Sequence, residues 1–270
     1  MSAAPLVTVL CAVHEESPYL DRALDGISAQ TEPDFELLVV VDGGSEALLK
    51  TLAARAARES RLRVIRRERH GLTAALNHGL KEARGHYVAR QDADDWSAPR
   101  RLEAQRRFLE EARAHIVSCH SRVVDEHGRL IALRTPPGEH ELLRVELERY
   151  NCLPHSALFA RRDALAALGD YRPQFTYTQD YDLYLRALGA GYRLRVLPEQ
   201  LVEIRMTPSN ITTLKRREQL GFALAAQADY FAGRGVSGPV AWRAMSHHWL
   251  RYMLPDPLRR AKRRVLEALR

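Results

Sequence analysis

No stretch of the 270-residue chain approaches the ~20 consecutive apolar residues that a membrane-spanning helix needs, so an integral membrane protein is not expected. Cysteine is equally scarce. Cys11, Cys119 and Cys152 lie far apart among apolar neighbours, which argues against a disulfide framework or a Cys-x-x-Cys metal site and leaves them as small core residues. The N-terminus, MSAAPLVTVLCAVHEE, lacks the basic start of a signal peptide. Its apolar run reads as a first strand, and the expected location is the cytoplasm, where the Asn210-Ile-Thr212 sequon carries no meaning. Also missing are a G-x-G-x-x-G fingerprint and a Walker A loop, which removes the main support for dehydrogenase and kinase readings. There is no internal repeat and no low-complexity segment.

What is present is an ordinary globular composition, 46% hydrophobic and 28% charged, enough for one large α/β domain with a helical tail. The net charge of +7 is unevenly spread. Residues 215–270 carry 12 Lys and Arg against 4 Asp and Glu, whereas residues 1–214 carry 29 against 30. The bulk of the chain is neutral, so no nucleic-acid partner is expected. The division predicted is a catalytic domain over 1–214 and a basic helical extension over 215–270.

Short β-branched runs alternate with amphipathic stretches through the first half, the pattern of βαβ units and a mainly parallel central sheet flanked by helices. Strands are expected at Leu6 to Val13, Phe35 to Val41, Leu62 to Arg66 and His86 to Arg90, with helices at about 17–30, 45–58 and 72–84. Ser45 reads as a helix cap, and Ser97 with Pro99 as the start of another helix, RRLEAQRRFLEEARA, whose arginines belong on its solvent face. A hairpin turning at Glu126-His-Gly128 follows. Beyond it come a helix at about 139–149, a strand His155 to Ala160, a helix containing QDYDLYLRAL, and two strand pieces, YRLRVL and LVEIRM. The tail reads as two or three helices broken at Gly233-Arg-Gly235 and Pro255-Asp-Pro257.

The chemistry-bearing pattern is QDADD, where a buried strand runs into Asp92, Asp94 and Asp95. Asp92 and Asp94 can both reach one hard divalent cation, which takes oxygen ligands and leaves room for water and a diphosphate. A solvated turn is the plainer alternative, but ligands in open α/β sheets bind beyond the carboxyl ends of the parallel strands, where this cluster and Asp42 both fall. Asp42, in VVVDGGS, can accept hydrogen bonds from a base or a ribose.

Together the segments VTVLCAVHEESPYLDRALDGISAQT, FELLVVVDGGS, HGLTAALNHGLKEARGHYVARQDADDWSAPRRLEAQ, HSALFARR and QDYDLYLR resemble, in order over about residues 6–210, a family 2 glycosyltransferase of the GT-A fold. The resemblance implies an inverting enzyme dependent on a nucleotide-diphospho-sugar donor and on Mn²⁺ or Mg²⁺. It implies that Ala12, His14, Glu15 and Asp42 line the nucleotide site, with Arg69 near the base or diphosphate and Asn77 supporting the donor pocket. Asp92 and Asp94 would be the D-x-D motif, with Asp94 the direct metal ligand, and Asp180 the catalytic base. His155, Gln179 and Arg205 would lie near the acceptor or diphosphate. Asp180 suits that role chemically, since a displacement at the anomeric carbon needs a carboxylate to take the acceptor's proton.

Three departures stand out: Gln179 replaces the family's usual Glu, DGG replaces DDG, and His14 replaces Asn. Processive relatives carry a Q-x-x-R-W motif and membrane spans, both missing here, so one sugar per encounter is expected. The acceptor implied is a glycan or a lipid-linked molecule of bacterial-type surface glycan synthesis. The basic tail suits peripheral contact with the inner face of the cell membrane. A nucleotidyltransferase making a nucleotide-sugar, and a non-catalytic sugar-nucleotide-binding relative, remain the alternatives.

Overall fold

The computed structural model describes residues 4–208, 210 and 214–253. Its nine-stranded sheet has the order β3-β2-β1-β4-β8-β6-β9-β5, with β7 paired to β6 alone. The parallel part is β1 (Val7–Val13), β2 (Phe35–Asp42), β3 (Leu62–Arg67) and β4 (Tyr87–Gln91), joined by α1 (Leu20–Ser28), α2 (Glu46–Ala56) and α3 (Leu72–Glu82). Alternation along β1 and β2 shows why both faces are covered. Val7, Val9, Cys11, Leu37, Val39 and Val41 pack with Leu24 of α1 and Leu48 of α2, whereas Leu10, Leu38 and Val40 pack with Leu76 and Leu80 of α3. All three cysteines are buried and free. At the β2–α2 turn Gly43 and Gly44 take φ of 89° and 70°, a region side chains resist, and Ser45 accepts the Leu48 N–H at 3.0 Å as the helix cap.

The second half is mixed. β5 (Trp96–Ser97) pairs antiparallel with β9 (Leu194–Arg205), and β6 (Ile116–Val124) runs parallel to β9 and antiparallel to β7 (Leu130–Arg134) and β8 (Phe159–Arg161). The predicted hairpin is there, closed by Gly128 at φ 82° and by Asp125, whose Oδ1 accepts the N–H groups of His127 and Arg129. The helices are α4 (Arg101–Glu111), α5 (His140–Arg149), α6 (Arg162–Ala167), α7 (Gln179–Gly189), α8 (Arg216–Gly233) and α9 (Gly238–Met253).

Four expectations need correction. Ser97 does not cap α4: it belongs to β5, and α4 begins at Arg101 with Arg100 at the cap position. Arg101 does not face solvent but is wholly buried. His155–Ala157 forms a 3₁₀ turn, so the strand there is confined to Phe159–Arg161. The two late strand pieces are one strand, β9. Its pairing with β6 skips Pro198 and Glu199 between Leu197 and Gln200, because proline has no N–H to donate to the ladder.

Of the basic extension, α8 contributes Ala223, Ala226, Tyr230 and Phe231 to the same core as α7. The break at Gly233-Arg-Gly235 separates α8 from α9, while Pro255-Asp-Pro257 lies outside the described residues.

Candidate active site

A cavity of about 1630 Å³ opens beyond the carboxyl ends of β1 and β4. One small ligand typically occupies ~300–1,000 Å³, so this space suits two substrates. Its walls include Ala12, His14, Glu15, Asp92, Asp94, His155, Gln179, Asp180 and Arg205. Asp42, Arg69 and Asn77 are not in its lining. Asp42 is buried and occupied: its carboxylate accepts the Gly71 N–H at 2.6 Å and the His70 N–H at 3.1 Å, and Arg67 lies 3.3 Å away. Arg69 covers Gly43 at the β2–α2 turn. The Asn77 amide clamps the backbone of Tyr171 with two hydrogen bonds, of 2.7 and 3.0 Å.

The acidic cluster stands on a buried polar floor. The Arg90 guanidinium, 1% exposed, bonds the Asp92 carboxylate. Arg101 has no carboxylate partner among the described residues. It donates instead to Arg90 O at 2.8 Å, Ser97 Oγ at 2.8 Å, Gln105 Oε1 at 2.9 Å and Gln91 Oε1 at 3.1 Å. Burial lowers its pKa to about 10. The Gln91 side chain in turn holds the Asp92 and Asp95 carbonyls at 3.0 and 2.9 Å, which fixes the turn.

Ser156 bridges the cluster, its Oγ 2.6 Å from Asp92 Oδ2 and 2.5 Å from Asp95 Oδ2. One hydroxyl proton cannot serve two carboxylates, so both contacts attract only when one carboxyl is protonated. Burial and the charge of Asp92 push Asp95 well above the usual carboxylate range. For Asp92, burial pushes upward, but Arg90 and the Ser156 hydroxyl overcome it and hold the group below its ordinary value. Asp94 is the least compensated. Its Oδ2 receives the Asn210 amide at 3.3 Å, and burial with the neighbouring Asp92 charge raises it to about 6.

Asp180 stands apart, in the first turn of α7. Its Oδ2 accepts the Asn151 amide at 2.8 Å. Burial raises its pKa, while Asn151 and the backbone N–H groups of the helix start oppose the rise. Beside it, Gln179 is 5% exposed with an Oε1 that has no hydrogen-bond partner among the described residues. The His155 Nε2 lies 2.8 Å from the Tyr171 hydroxyl, and burial lowers the ring's pKa to about 3. It therefore offers a hydrogen bond rather than a charge at neutral pH. The Arg205 guanidinium donates to the carbonyls of Asp125 and Glu126 at 3.0 and 3.1 Å and lies over the Tyr19 ring, while the Arg205 backbone N–H donates to Asp95 Oδ1 at 2.8 Å.

Ser156, Asn151, Asn210, Arg90 and Arg101 are the polar residues of this region that sequence reasoning missed. Only Arg90 left a signal, as a charge inside an apolar strand directly before the acidic turn.

The fold matches solved structures. A Staphylococcus aureus TarS fragment in complex with UDP-GlcNAc superposes with a TM-score of 0.71 at 15% identity, covering 90% of this chain and 71% of that one. The mannosyltransferase PcManGT of Pyrobaculum calidifontis, in complex with GDP-Man and Mn²⁺, gives 0.65 at 22% identity over 94% and 71%. The architecture is that of a GT-A type glycosyltransferase. Residues 8–169 match the family described as Glycosyl transferase family 2. An O-antigen biosynthesis glycosyltransferase of Escherichia coli, WbnJ, is 30% identical over 191 residues, 70% of this chain and 74% of that protein. The chain belongs to glycosyltransferase family 2.

Proposed function

We propose that the enzyme transfers a sugar, with inversion, from UDP-sugar or another nucleotide-diphospho-sugar to a hydroxyl acceptor in bacterial-type surface glycan or glycolipid synthesis. The observation that carries this reading is the presence of two separate acidic groups on one cavity wall: the carboxylate pair Asp92 and Asp94, and Asp180, which is held by Asn151 and has no cationic partner among the described residues. Relatives support the setting, since WbnJ is named for O-antigen biosynthesis and the structural neighbours hold UDP-GlcNAc and GDP-Man.

Among the described residues no three His, Cys, Asp or Glu are grouped to hold a metal. Asp94, undercompensated beside Asp92, fits a hard cation that takes its remaining ligands from water and substrate phosphates. When bound, Mn²⁺ or Mg²⁺ would neutralise charge on the leaving diphosphate. Asp180 takes the acceptor hydroxyl's proton as that oxygen bonds the anomeric carbon. The bond from that carbon to the diphosphate oxygen breaks, and its electron pair leaves with the nucleotide. Asn151 holds Oδ2 of the base at 2.8 Å. Ala12, His14 and Glu15 serve the nucleotide from the cavity wall, and His155, Gln179 and Arg205 the acceptor or diphosphate; Asp42, Arg69 and Asn77, outside the lining, act on the site's frame by holding the backbone at Gly71, packing on Gly43 and holding the backbone at Tyr171.

Incubation with Mn²⁺ and a panel of nucleotide-sugars, scored by which nucleoside diphosphate appears, tests the reaction. Release of UDP or GDP that EDTA abolishes is expected. Asp180→Asn should lower turnover by ~10²- to 10⁴-fold while nucleotide binding persists. Pyrophosphate release instead would identify a nucleotidyltransferase, and no release from any donor a binding protein.

A further inference from the structure

Tyr171, in the loop between α6 and α7, is buried behind the cavity wall, 2% exposed. The Asn77 amide of α3 holds both its carbonyl and its N–H, at 2.7 and 3.0 Å. Its hydroxyl has one hydrogen-bond partner among the described residues, His155 Nε2 at 2.8 Å. Burial raises the pKa of that hydroxyl, so it keeps its proton. If the hydroxyl only accepted a bond from an Nε2–H, its own buried proton would go unpartnered, which costs more than the bond contributes. The bond therefore runs from Tyr171 to Nε2, and the single proton of the neutral ring sits on Nδ1. Nδ1 has no hydrogen-bond partner among the described residues, and His155 lines the cavity.

We propose that Tyr171 is a positioning residue that fixes the His155 tautomer, so that an Nδ1–H rather than a lone pair is offered to a diphosphate oxygen of the sugar donor. This rests on the glycosyl-transfer reading above. His155 begins the 3₁₀ turn whose Ser156 bonds Asp92, and among the described residues the charges acting on its ring are those of Arg90 and Asp92 rather than that of Asp180. It therefore stands on the side of the cavity where the carboxylate pair would meet the diphosphate, away from the base. A diphosphate oxygen carries only lone pairs, so one tautomer attracts it and the other repels it. A sugar hydroxyl can donate as well as accept, so only an anion makes the tautomer matter. Asn77, outside the cavity lining, reaches the donor through this chain: its amide fixes the Tyr171 backbone, and the Tyr171 hydroxyl fixes His155.

Nitrogen NMR of the His155 ring in the full chain, assigned by the signals lost in His155→Asn, reads the tautomer directly. The wild type should show Nδ1 as the N–H and Nε2 as the bare nitrogen, and Tyr171→Phe should shift the proton toward Nε2. Calorimetry with whichever of UDP and GDP binds, in the presence of Mg²⁺, should show Tyr171→Phe weakening affinity by about tenfold. An asparagine amide places its nitrogen where Nδ1 stands and has nothing at Nε2. His155→Asn should therefore keep most of the affinity and make a further Tyr171→Phe change silent, whereas a merely structural Tyr171 would cost the same in both backgrounds. An Nε2–H in the wild type, unchanged affinity in Tyr171→Phe, or an equal loss in the His155→Asn background would each overturn the proposal. Binding of neither nucleotide would overturn the donor reading and the diphosphate contact with it, while the spectrum of the free protein decides the tautomer independently.

Discussion

Asp180 and Asn151 form the pair on which the proposed proton transfer depends, and their contact sets the pH at which it works. A general base acts only when ionised, and burial raises Asp180 above the ordinary carboxylate value. Turnover should therefore fall, as pH drops, earlier than an exposed carboxylate would dictate. The Asn151 amide stabilises the ionised form, so Asn151→Ala should raise the pKa further and move the acidic limb of the kcat profile to higher pH, at unchanged donor KM. A limb that stays in place would remove Asn151 from the positioning role. Carboxylates were legible in the sequence because QDADD and QDYD concentrate charge beside apolar runs. Asn151 and Ser156 were not: each meets its carboxylate across 29 or 64 residues of chain, and neither residue type is unusual in a loop. Arg101 was hidden by its neighbours, since in RRLEAQRR only the helix's phase against the sheet decides which arginine is buried.

Elements whose form follows from their own periodicity were readable, namely β1 to β4 with α1 to α3, and the hairpin with its glycine turn. Those decided by distant partners were not. β5 exists because Trp96 and Ser97 meet Glu203 and Val202, and β9 is continuous because β6 spans its irregularity at Pro198. The α3–β4 connection is tight for a related reason. A Cβ on Gly85 would lie 2.4 Å from Thr8 N and 2.7 Å from Val7 C, backbone atoms of β1 that cannot move aside. Its N–H also donates to Thr8 Oγ1 at 2.9 Å. Gly85→Ala should lower stability by ~1–3 kcal/mol in urea unfolding, as overpacking does. A change below about 0.5 kcal/mol, the range of a neutral surface substitution, would mean that the β1 contact yields.

For the molecule as a whole, the question is where the enzyme meets its acceptor. No helix among the described residues is long and apolar enough to cross a membrane. α9 nevertheless exposes Trp242 and Trp249, their ring centroids 5.3 Å apart, with Leu250 and Met253. Tryptophan favours the boundary between headgroups and acyl chains, and the extension is basic. The intact chain should float with anionic vesicles, less so with neutral ones, and the Trp242→Ser, Trp249→Ser double variant should float weakly on either. Equal recovery of variant and wild type would exclude α9 as the contact.

The place of β7 in the sheet has a further consequence, one of inheritance. Of the described strands it bonds only β6, at an edge, so substitutions along it break none of the parallel ladders that carry Asp42 and the acidic turn. Descendants of this chain can vary that strand and the neighbouring outward face of α5 while the fold endures. A lineage with this layout can reshape that side of the cavity without relearning how to build its sheet.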